Sequence, residues 1–247
     1  MKEEILLKAE KLINMYKEGL LGGRVMPEDS NPGLPKTSLE NYLYFTLPMA
    51  LNYQRNSYTL WESALKTYND EETKFLFNPK EVINKPESEV QKALIKYRLA
   101  LQKDKQTKIW ITLCHTFVNL FDGDIRKIFD QNENDPDKIR KFMQIKHKKE
   151  FPYLSGNKLC NYWMYVIYEY TGRTYTDLSK LTVAPDIHVC RATCKLGLIT
   201  EEELNSSKVQ ELVIQRWHEL MKNSKYNEID VHTPLWLWAR NNFIEIR

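Results

Sequence analysis

The spacing of apolar residues along this chain repeats with the period of an α-helix in nearly every segment. In residues 2–20 one stripe is formed by Ile5, Ala9, Leu12, Ile13 and Tyr16. Residues three and four apart share one face of a helix, whereas half-buried strands alternate strictly between apolar and polar residues. No sustained alternation appears in the sequence. We therefore predict an all-α fold.

The same pattern places the boundaries of further helices. We predict helices at about 57–68, 87–102, 105–121, 123–130, 136–148, 156–172, 186–197, 207–222 and 233–244. In the segment 37–53, Thr37 and Glu40 have the spacing of a capping box, and Pro48 is expected to interrupt the helix. No linker rich in Gly, Ser or Pro divides the chain. We expect residues 1–247 to form a single unit of two intimately packed helical lobes around a central cleft.

The composition is typical of a globular protein. Of 247 residues, 42% are apolar, which is enough for one large core or for two lobes that share a cleft. No apolar run approaches the roughly 20 residues that span a bilayer. The N-terminal stretch MKEEILLKAEKL is charged throughout and is unlike a signal peptide. We expect a soluble cytoplasmic protein without a membrane partner.

The cysteines leave two readings open. They are Cys114, Cys160, Cys190 and Cys194. The last two are four residues apart, so a helix would place both thiols on one face, where they could bind a metal. A tetrahedral site needs two further ligands, and the alternative is that the thiols are simply buried among apolar side chains. We expect buried thiols and no metal.

Positive charge is concentrated in one segment. The net charge is only +3, but KIRKFMQIKHKK (138–149) contains six Lys and Arg residues and no acidic residue. Such a basic face is typical of polyphosphate binding, although a solvated helix face is an equally good explanation. The candidate phosphate contacts within it are Lys146, Lys148 and Lys149.

Two stretches that follow this segment bear residues of catalytic type. In FPYLSGNKLCNYW (151–163), Lys158 lies at the start of a predicted helix. In APDIHVCRATCKLGL (184–198), Pro185 and Asp186 predict a second helix start, with Asp186 as N-cap. Two helix N-termini could thus face each other, one with an amine and the other with a carboxylate. The loop before the first helix is expected to expose N–H groups suited to a phosphate.

These two stretches resemble the helix-hairpin-helix DNA glycosylase superfamily, in its lysine-dependent, bifunctional branch. The family hairpin reads Leu-Pro-Gly-Val-Gly-x-Lys, followed after a helix by Val-Asp-x-His-Val-x-Arg and a Leu-Gly pair. The matching residues of the second stretch are Asp186, His188, Val189, Arg191, Leu196 and Gly197. Leu154 replaces the first hairpin glycine, which implies a different turn. The wide gap between Lys158 and Asp186 is most like that of archaeal 8-oxoguanine DNA glycosylases.

Two further comparisons refine the resemblance. The tail stretch HTPLWLWAR (His232–Arg240) is similar to the last helix of the archaeal members. The four-cysteine motif of the endonuclease III branch is absent, so no iron–sulfur cluster is expected. The one cofactor that the resemblance allows is a structural monovalent cation at the hairpin.

The resemblance implies a function and a set of site residues. Lys158 would displace the base of a damaged nucleotide, such as 8-oxoguanine, and form a Schiff base, with Asp186 stabilising the developing positive charge. The DNA backbone would be held by Leu154, Ser155, Gly156, Asn157 and Arg191. The flipped base needs an aromatic-walled pocket, for which the candidates are Gln54, Tyr53, Trp61 and Trp163. The partner would be double-stranded DNA, bound by a nucleoid-associated monomer.

Other functions fit parts of the same pattern. The unusual hairpin suits a glycosylase for another modified base, including the hypermodified bases of phage DNA in a defence role, or an enzyme acting on a nucleoside. A non-catalytic helix-hairpin-helix module that grips the DNA backbone is the third reading, although it would not need both Lys158 and Asp186. Each residue also has a simpler explanation, with Lys158 a solvated lysine and Asp186 only a helix cap.

Overall fold

All regular secondary structure in the computed structural model, which describes residues 2–22, 26–222 and 224–247, is helical. The described residues contain no strand, which confirms the predicted all-α class. In chain order the α-helices are α1 (Lys2–Lys17), α2 (Leu39–Thr46), α3 (Ser57–Asn69), α4 (Pro79–Val82), α5 (Glu87–Lys96), α6 (Lys103–Phe121), α7 (Lys127–Gln131), α8 (Pro136–Lys141), α9 (Asn157–Thr171), α10 (Ile187–Lys195), α11 (Glu201–Leu204), α12 (Val209–Met221) and α13 (His232–Arg240). None of these helices has the length and apolar character to cross a bilayer.

The chain divides into two compact units. The central unit comprises Pro27–Asp177, and the terminal unit combines Met1–Met26 with Leu178–Arg247. The predicted hairpin and active-site segment, 151–198, crosses this division. Lys158 therefore belongs to the central unit and Asp186 to the terminal unit.

The core of the central unit is built on its two longest apolar helices. Helix α6 packs against α4 and α5, and α9 packs against α2. Trp110 of α6 is fully buried and donates its indole N–H to the Leu76 carbonyl at 3.0 Å. Hydrogen-bonded tryptophans of this kind bury a large apolar surface without leaving a polar atom unpaired.

The terminal unit is organised around α13. Both α10 and α1 pack against this helix. On the other side of α10, the buried Trp217 donates its indole N–H to Thr193 Oγ1 at 2.9 Å. The apolar stripe predicted for residues 2–20 faces this core, because Ile5, Ala9, Leu12 and Ile13 are all buried.

The predicted helix at 87–102 was too long. Helix α5 ends at Lys96, and Arg98 adopts a left-handed conformation with φ of 59°. The Ala100 N–H then bonds to the Leu94 carbonyl at 2.9 Å, which closes the end of the helix. The following turn leads into α6, where Gln106 Oε1 accepts the Gln102 N–H at 3.0 Å.

Two smaller corrections concern helix ends. The N-cap of α2 is Ser38 rather than Thr37, because Ser38 Oγ accepts the Asn41 N–H at 3.2 Å. Pro48 interrupts that segment as predicted, and a 3-10 turn follows at Pro48–Leu51. The basic helix predicted at 136–148 is α-helical only through Lys141 and continues as a π-helical turn, Phe142–Lys146.

Candidate functional site

The hairpin at residues 151–156 is held together by its own backbone. The Ser155 N–H bonds to the Phe151 carbonyl and the Gly156 N–H to the Tyr153 carbonyl, each at 2.9 Å, and the Leu154 N–H bonds to the Pro152 carbonyl at 2.7 Å. The Leu154 side chain is fully buried. The expectation that Leu154, Ser155 and Gly156 offer free N–H groups to phosphate is therefore wrong, because all three N–H groups are donated inside the hairpin.

The free N–H groups lie one step further along the chain, at the start of α9. Gly156 is the N-cap and has no side chain to accept from them. The first-turn N–H groups of Asn157, Lys158 and Leu159 consequently have no acceptor within the helix. Asn157 and Lys158 are exposed. An uncapped helix start with positive partial charge is suited to an anion such as phosphate.

The tip of the hairpin is a left-handed residue clamped by an aromatic stack. Tyr153 has φ of 61°, so the turn forms at this position and not at Leu154. Its ring stacks on Tyr53 with centroids 4.0 Å apart and planes 11° from parallel. The Lys105 ammonium lies 4.9 Å from the centroid of Tyr153 and 5.4 Å from that of Tyr53. The stack and the cation offset the cost of a left-handed tyrosine.

Lys105 also changes the chemistry of this stack. Its hydrogen bond to the phenol oxygen is the main reason why the pKa of Tyr153 is lowered from its ordinary value. No motif in the sequence connects Lys105 with Tyr153, because Lys105 lies almost fifty residues before it. The structure nevertheless adds an exposed cation to the tip of the hairpin.

Gln54 is displayed next to this stack. It follows Tyr53 in the loop before α3, is exposed, and adopts φ of 50°. A left-handed non-glycine residue carries backbone strain, which persists where the surroundings enforce it and is concentrated at functional sites. The predicted base-reading residue therefore lies beside the hairpin, in the same unit as Lys158.

The side chains of Trp61 and Trp163 belong to the core. Both side chains are fully buried in the central unit. Trp163 donates its indole N–H to Thr46 Oγ1 at 3.0 Å, and Trp61 donates to Glu28 Oε1 at 2.9 Å. Their assignment to base stacking was wrong, because aromatic residues at helical spacing have the same sequence pattern in a core as in a pocket.

Glu28 is an unexpected buried carboxyl group. Its Oε1 also accepts the Tyr162 hydroxyl at 3.0 Å, while Oε2 has no hydrogen-bond partner among the described residues. Burial raises the pKa of Glu28 to about 7, and the hydrogen bonds from Tyr162 and Trp61 oppose that rise only in part.

In the terminal unit, Asp186 is fixed through both of its oxygens. Oδ1 accepts the N–H groups of His188 and Val189, each at 2.9 Å, which confirms the predicted N-cap of α10. Oδ2 accepts the indole N–H of Trp236 at 2.9 Å. Trp236 belongs to the HTPLWLWAR stretch, and that tail motif was the one sequence signal that could have pointed to it.

A histidine and an arginine surround this carboxylate. Arg240 lies 4.8 Å over the Trp236 ring, and its Nη1 is 3.3 Å from His188 Nε2. Burial is the main cause that lowers the pKa of His188, Arg240 and Arg191 add to it, and Asp186 opposes it. His188 is thus held neutral and accepts from Arg240, which leaves Asp186 as the acidic group of this cluster. Arg191 is exposed.

The basic segment divides into a paired half and an exposed half. Lys138 pairs with Glu133 at 2.6 Å, and Arg140 pairs with Asp137 at 2.8 Å. The later lysines are all exposed and lie beyond these pairs: Lys146, Lys148 and Lys149. The predicted phosphate contacts therefore fall in the half of the segment where positive charge is not neutralised by these acids.

The structure brings some predicted residues together and leaves others apart. Within the central unit, Tyr53, Gln54 and the hairpin form one cluster, with Lys158 directly after it. Asp186 and Arg191 belong to the terminal unit. Within the described ranges, no group of three or more His, Cys, Asp or Glu side chains could hold a metal ion. Cys190 is buried and Cys194 is half-buried.

Comparison with models of known protein families gives no match, and comparison with curated proteins gives none either.

Proposed function

We propose that this protein is a DNA glycosylase with AP-lyase activity, which excises a damaged or modified base through a Schiff base at Lys158. The observation that carries the proposal is the position of Lys158, exposed in the first turn of an uncapped helix directly after a clamped hairpin. Unpaired N–H groups at that helix start are suited to bind a DNA phosphate. Such binding would hold the strand beside the amine.

The reaction would proceed in three balanced steps. The unprotonated Lys158 amine attacks C1′ of the nucleotide, and the C1′–N bond breaks with its electron pair leaving on the base. One proton of the Lys158 nitrogen passes to the departing base and the other to O4′, and opening of the sugar ring gives a Schiff base between Nζ and C1′. Loss of a C2′ proton then expels the 3′ phosphate by β-elimination, and water releases the lysine.

Asp186 would act electrostatically in the first step. As the C1′–N bond breaks, positive charge develops on the sugar, and an ionised carboxylate nearby lowers its energy. The hydrogen bonds from two backbone N–H groups and from Trp236 keep this carboxylate oriented.

Gln54 is the proposed reader of the excised base. Its exposure and its place beside the Tyr53–Tyr153 stack support this role. An amide can both donate to and accept from a base edge, which allows it to distinguish an oxidised purine from a normal one. An oxidised purine such as 8-oxoguanine is the proposed substrate class, in duplex DNA bound by a monomer.

The test is base release from a panel of duplexes, each with a single lesion or a hypermodified phage base, with the free base identified by mass spectrometry. Release from the oxidised-purine duplex supports the proposal. Release from another modified base alone would assign the enzyme to that substrate and contradict the oxidised-purine assignment. Salt-sensitive binding with no release from any duplex would favour the non-catalytic DNA-binding module.

A further inference from the structure

A second concentration of positive charge includes Arg55, the residue that follows Gln54 in the chain. A pocket of about 310 Å³ is formed by the loop before α3, one face of α3 and the turn after α5. Its charged lining residues are Arg55, Lys66 and Arg98, with Glu62 as the acidic one. The lining therefore carries a net charge of about +2. A concave site lined mainly by positive charges concentrates their electrostatic potential and attracts anions.

Arg55 is already ordered for binding. Its Nη1 donates to the Leu99 carbonyl at 2.7 Å and its Nη2 to the Arg98 carbonyl at 3.3 Å, which fixes the guanidinium against the end of α5. Its Nε is buried and has no acceptor among the residues that the structure describes. A buried donor without a partner is costly to the folded protein.

The cations of the pocket are close enough to disfavour one another. Burial lowers the pKa of Arg55 to about 10, and the charge of Arg98 adds to the effect. Arg98 is exposed and has left-handed backbone, with φ of 59°. A bound anion would relieve this repulsion and would supply an acceptor for Arg55.

We propose that the pocket formed by Arg55, Lys66 and Arg98 binds a phosphate group. Phosphate fits because its oxygens accept from several donors at once, and arginine forks match its geometry. The inference rests on the proposed function in one respect: the phosphate is assigned to the DNA strand whose base Gln54 reads. The same chemistry would accept free phosphate or a mononucleotide, so the test separates these sources.

The first measurement is the salt dependence of duplex binding by Lys66→Gln/Arg98→Gln, which removes two charges and leaves the Arg55 anchor in place. Each lost phosphate contact lowers the slope of log K against log salt by about 0.9, so we expect a fall of about 1.8 if both residues contact phosphate. The matched control is Lys36→Gln/Lys92→Gln, two exposed lysines of the same unit outside this pocket. Equal slopes in the two double variants would overturn the proposal.

The second measurement follows the Arg55 Nε–H resonance of the unaltered protein by NMR, with undamaged duplex DNA or with inorganic phosphate as the probe. A shift with DNA alone, or with both probes, supports a DNA phosphate as ligand. A shift with inorganic phosphate alone supports the pocket and overturns its assignment to DNA. No shift with either probe overturns the pocket itself.

The two proposals can fail separately. A lowered slope and a shifted Arg55 resonance, in a protein that releases no base from any duplex, would support the pocket and contradict the glycosylase. Base release by the unaltered protein, together with an unchanged slope in the double variant, would support the glycosylase and contradict the pocket.

Discussion

Trp236 donates its indole N–H to Asp186 Oδ2 across fifty residues of sequence, at 2.9 Å. With Oδ1 occupied by two backbone N–H groups, this bond leaves the carboxylate little freedom to rotate. Helix α13, through Trp236, thus orients Asp186 at the start of α10. The HTPLWLWAR stretch accordingly gains a specific role as support for Asp186.

Replacing Trp236 with Phe removes this donor and keeps most of the ring. A hydrogen bond to a charged group contributes about 1.5–3 kcal/mol, and misplacing a reacting group can slow a reaction by up to about a hundredfold. We expect Trp236→Phe to slow base release by about ten- to a hundredfold in single-turnover assays. The matched control is Trp238→Phe on the same helix, whose indole bonds to the Ile244 carbonyl and not to Asp186. Equal rates of base release in the two variants would show that the hydrogen bond from Trp236 to Asp186 does not matter for the reaction.

The cap role and the proposed catalytic role of Asp186 can be separated by two substitutions. Asparagine caps helices about as well as aspartate, so Asp186→Asn should keep the cap and lose only the hydrogen bond from Trp236, which the amide nitrogen cannot accept. Asp186→Ala loses the cap and should cost about 0.5–2 kcal/mol of stability. Base release should fall at least a hundredfold in both variants, because neither has a carboxylate. If Asp186→Asn releases base at the unaltered rate, Asp186 is a cap alone.

The buried carboxyl of Glu28 predicts a pH dependence of stability. Its pKa is about 7 in the folded protein, against 4.5 for the ordinary group. Because the folded state holds the proton more tightly, the contribution of Glu28 is fully present below pH 4.5 and is lost as the pH rises through about 7. The loss is on the order of 3 kcal/mol, from 1.4 kcal/mol for each pH unit.

Urea unfolding at pH 5 and at pH 8 measures this effect. Glu28→Gln has a side chain that stays neutral at both pH values, and it should flatten the difference between them. Glu71→Gln, at an exposed position, should keep the full difference. A difference that persists unchanged in Glu28→Gln would assign the pH dependence to other groups.

If the exposed half of the basic segment contacts phosphates, it should account for a large part of the salt dependence of DNA binding. Replacing Lys146, Lys148 and Lys149 together with Gln should lower the salt slope by up to about 2.7, at 0.9 for each contact. The control exchanges three exposed lysines elsewhere in the central unit, Lys36, Lys74 and Lys92. A slope equal to that of the control would make the segment a solvated surface.

The sequence was sufficient for the fold class and for the helix cap at Asp186. Apolar periodicity reflects which helix face is buried, so it located most helices correctly. The Asp186 cap was predictable because a cap depends on neighbouring residues. The end of α5 was missed because left-handed Arg98 has no sequence signal of the glycine kind. Thr37 and Ser38 are both good caps, and only the geometry decides between them.

Contacts between residues far apart in the chain could not be predicted from the sequence. Tyr53 stacks on Tyr153 and Trp236 bonds to Asp186 through contacts that join distant segments, and no spacing rule predicts either pair. The aromatic residues Trp61 and Trp163 were assigned to a pocket because hydrophobic pattern alone does not distinguish a pocket wall from a core. Their buried hydrogen bonds supply the distinction.

The most direct test of the central claim is borohydride trapping on a duplex that carries an oxidised purine. Borohydride reduces a Schiff base to a stable amine, so a lysine-dependent enzyme becomes covalently joined to its DNA. We expect an adduct with the unaltered protein and with Lys92→Ala, a control at an exposed lysine outside the site. No adduct should form with Lys158→Ala. An adduct at full yield in Lys158→Ala would contradict the account, and so would base release by the unaltered protein without any adduct.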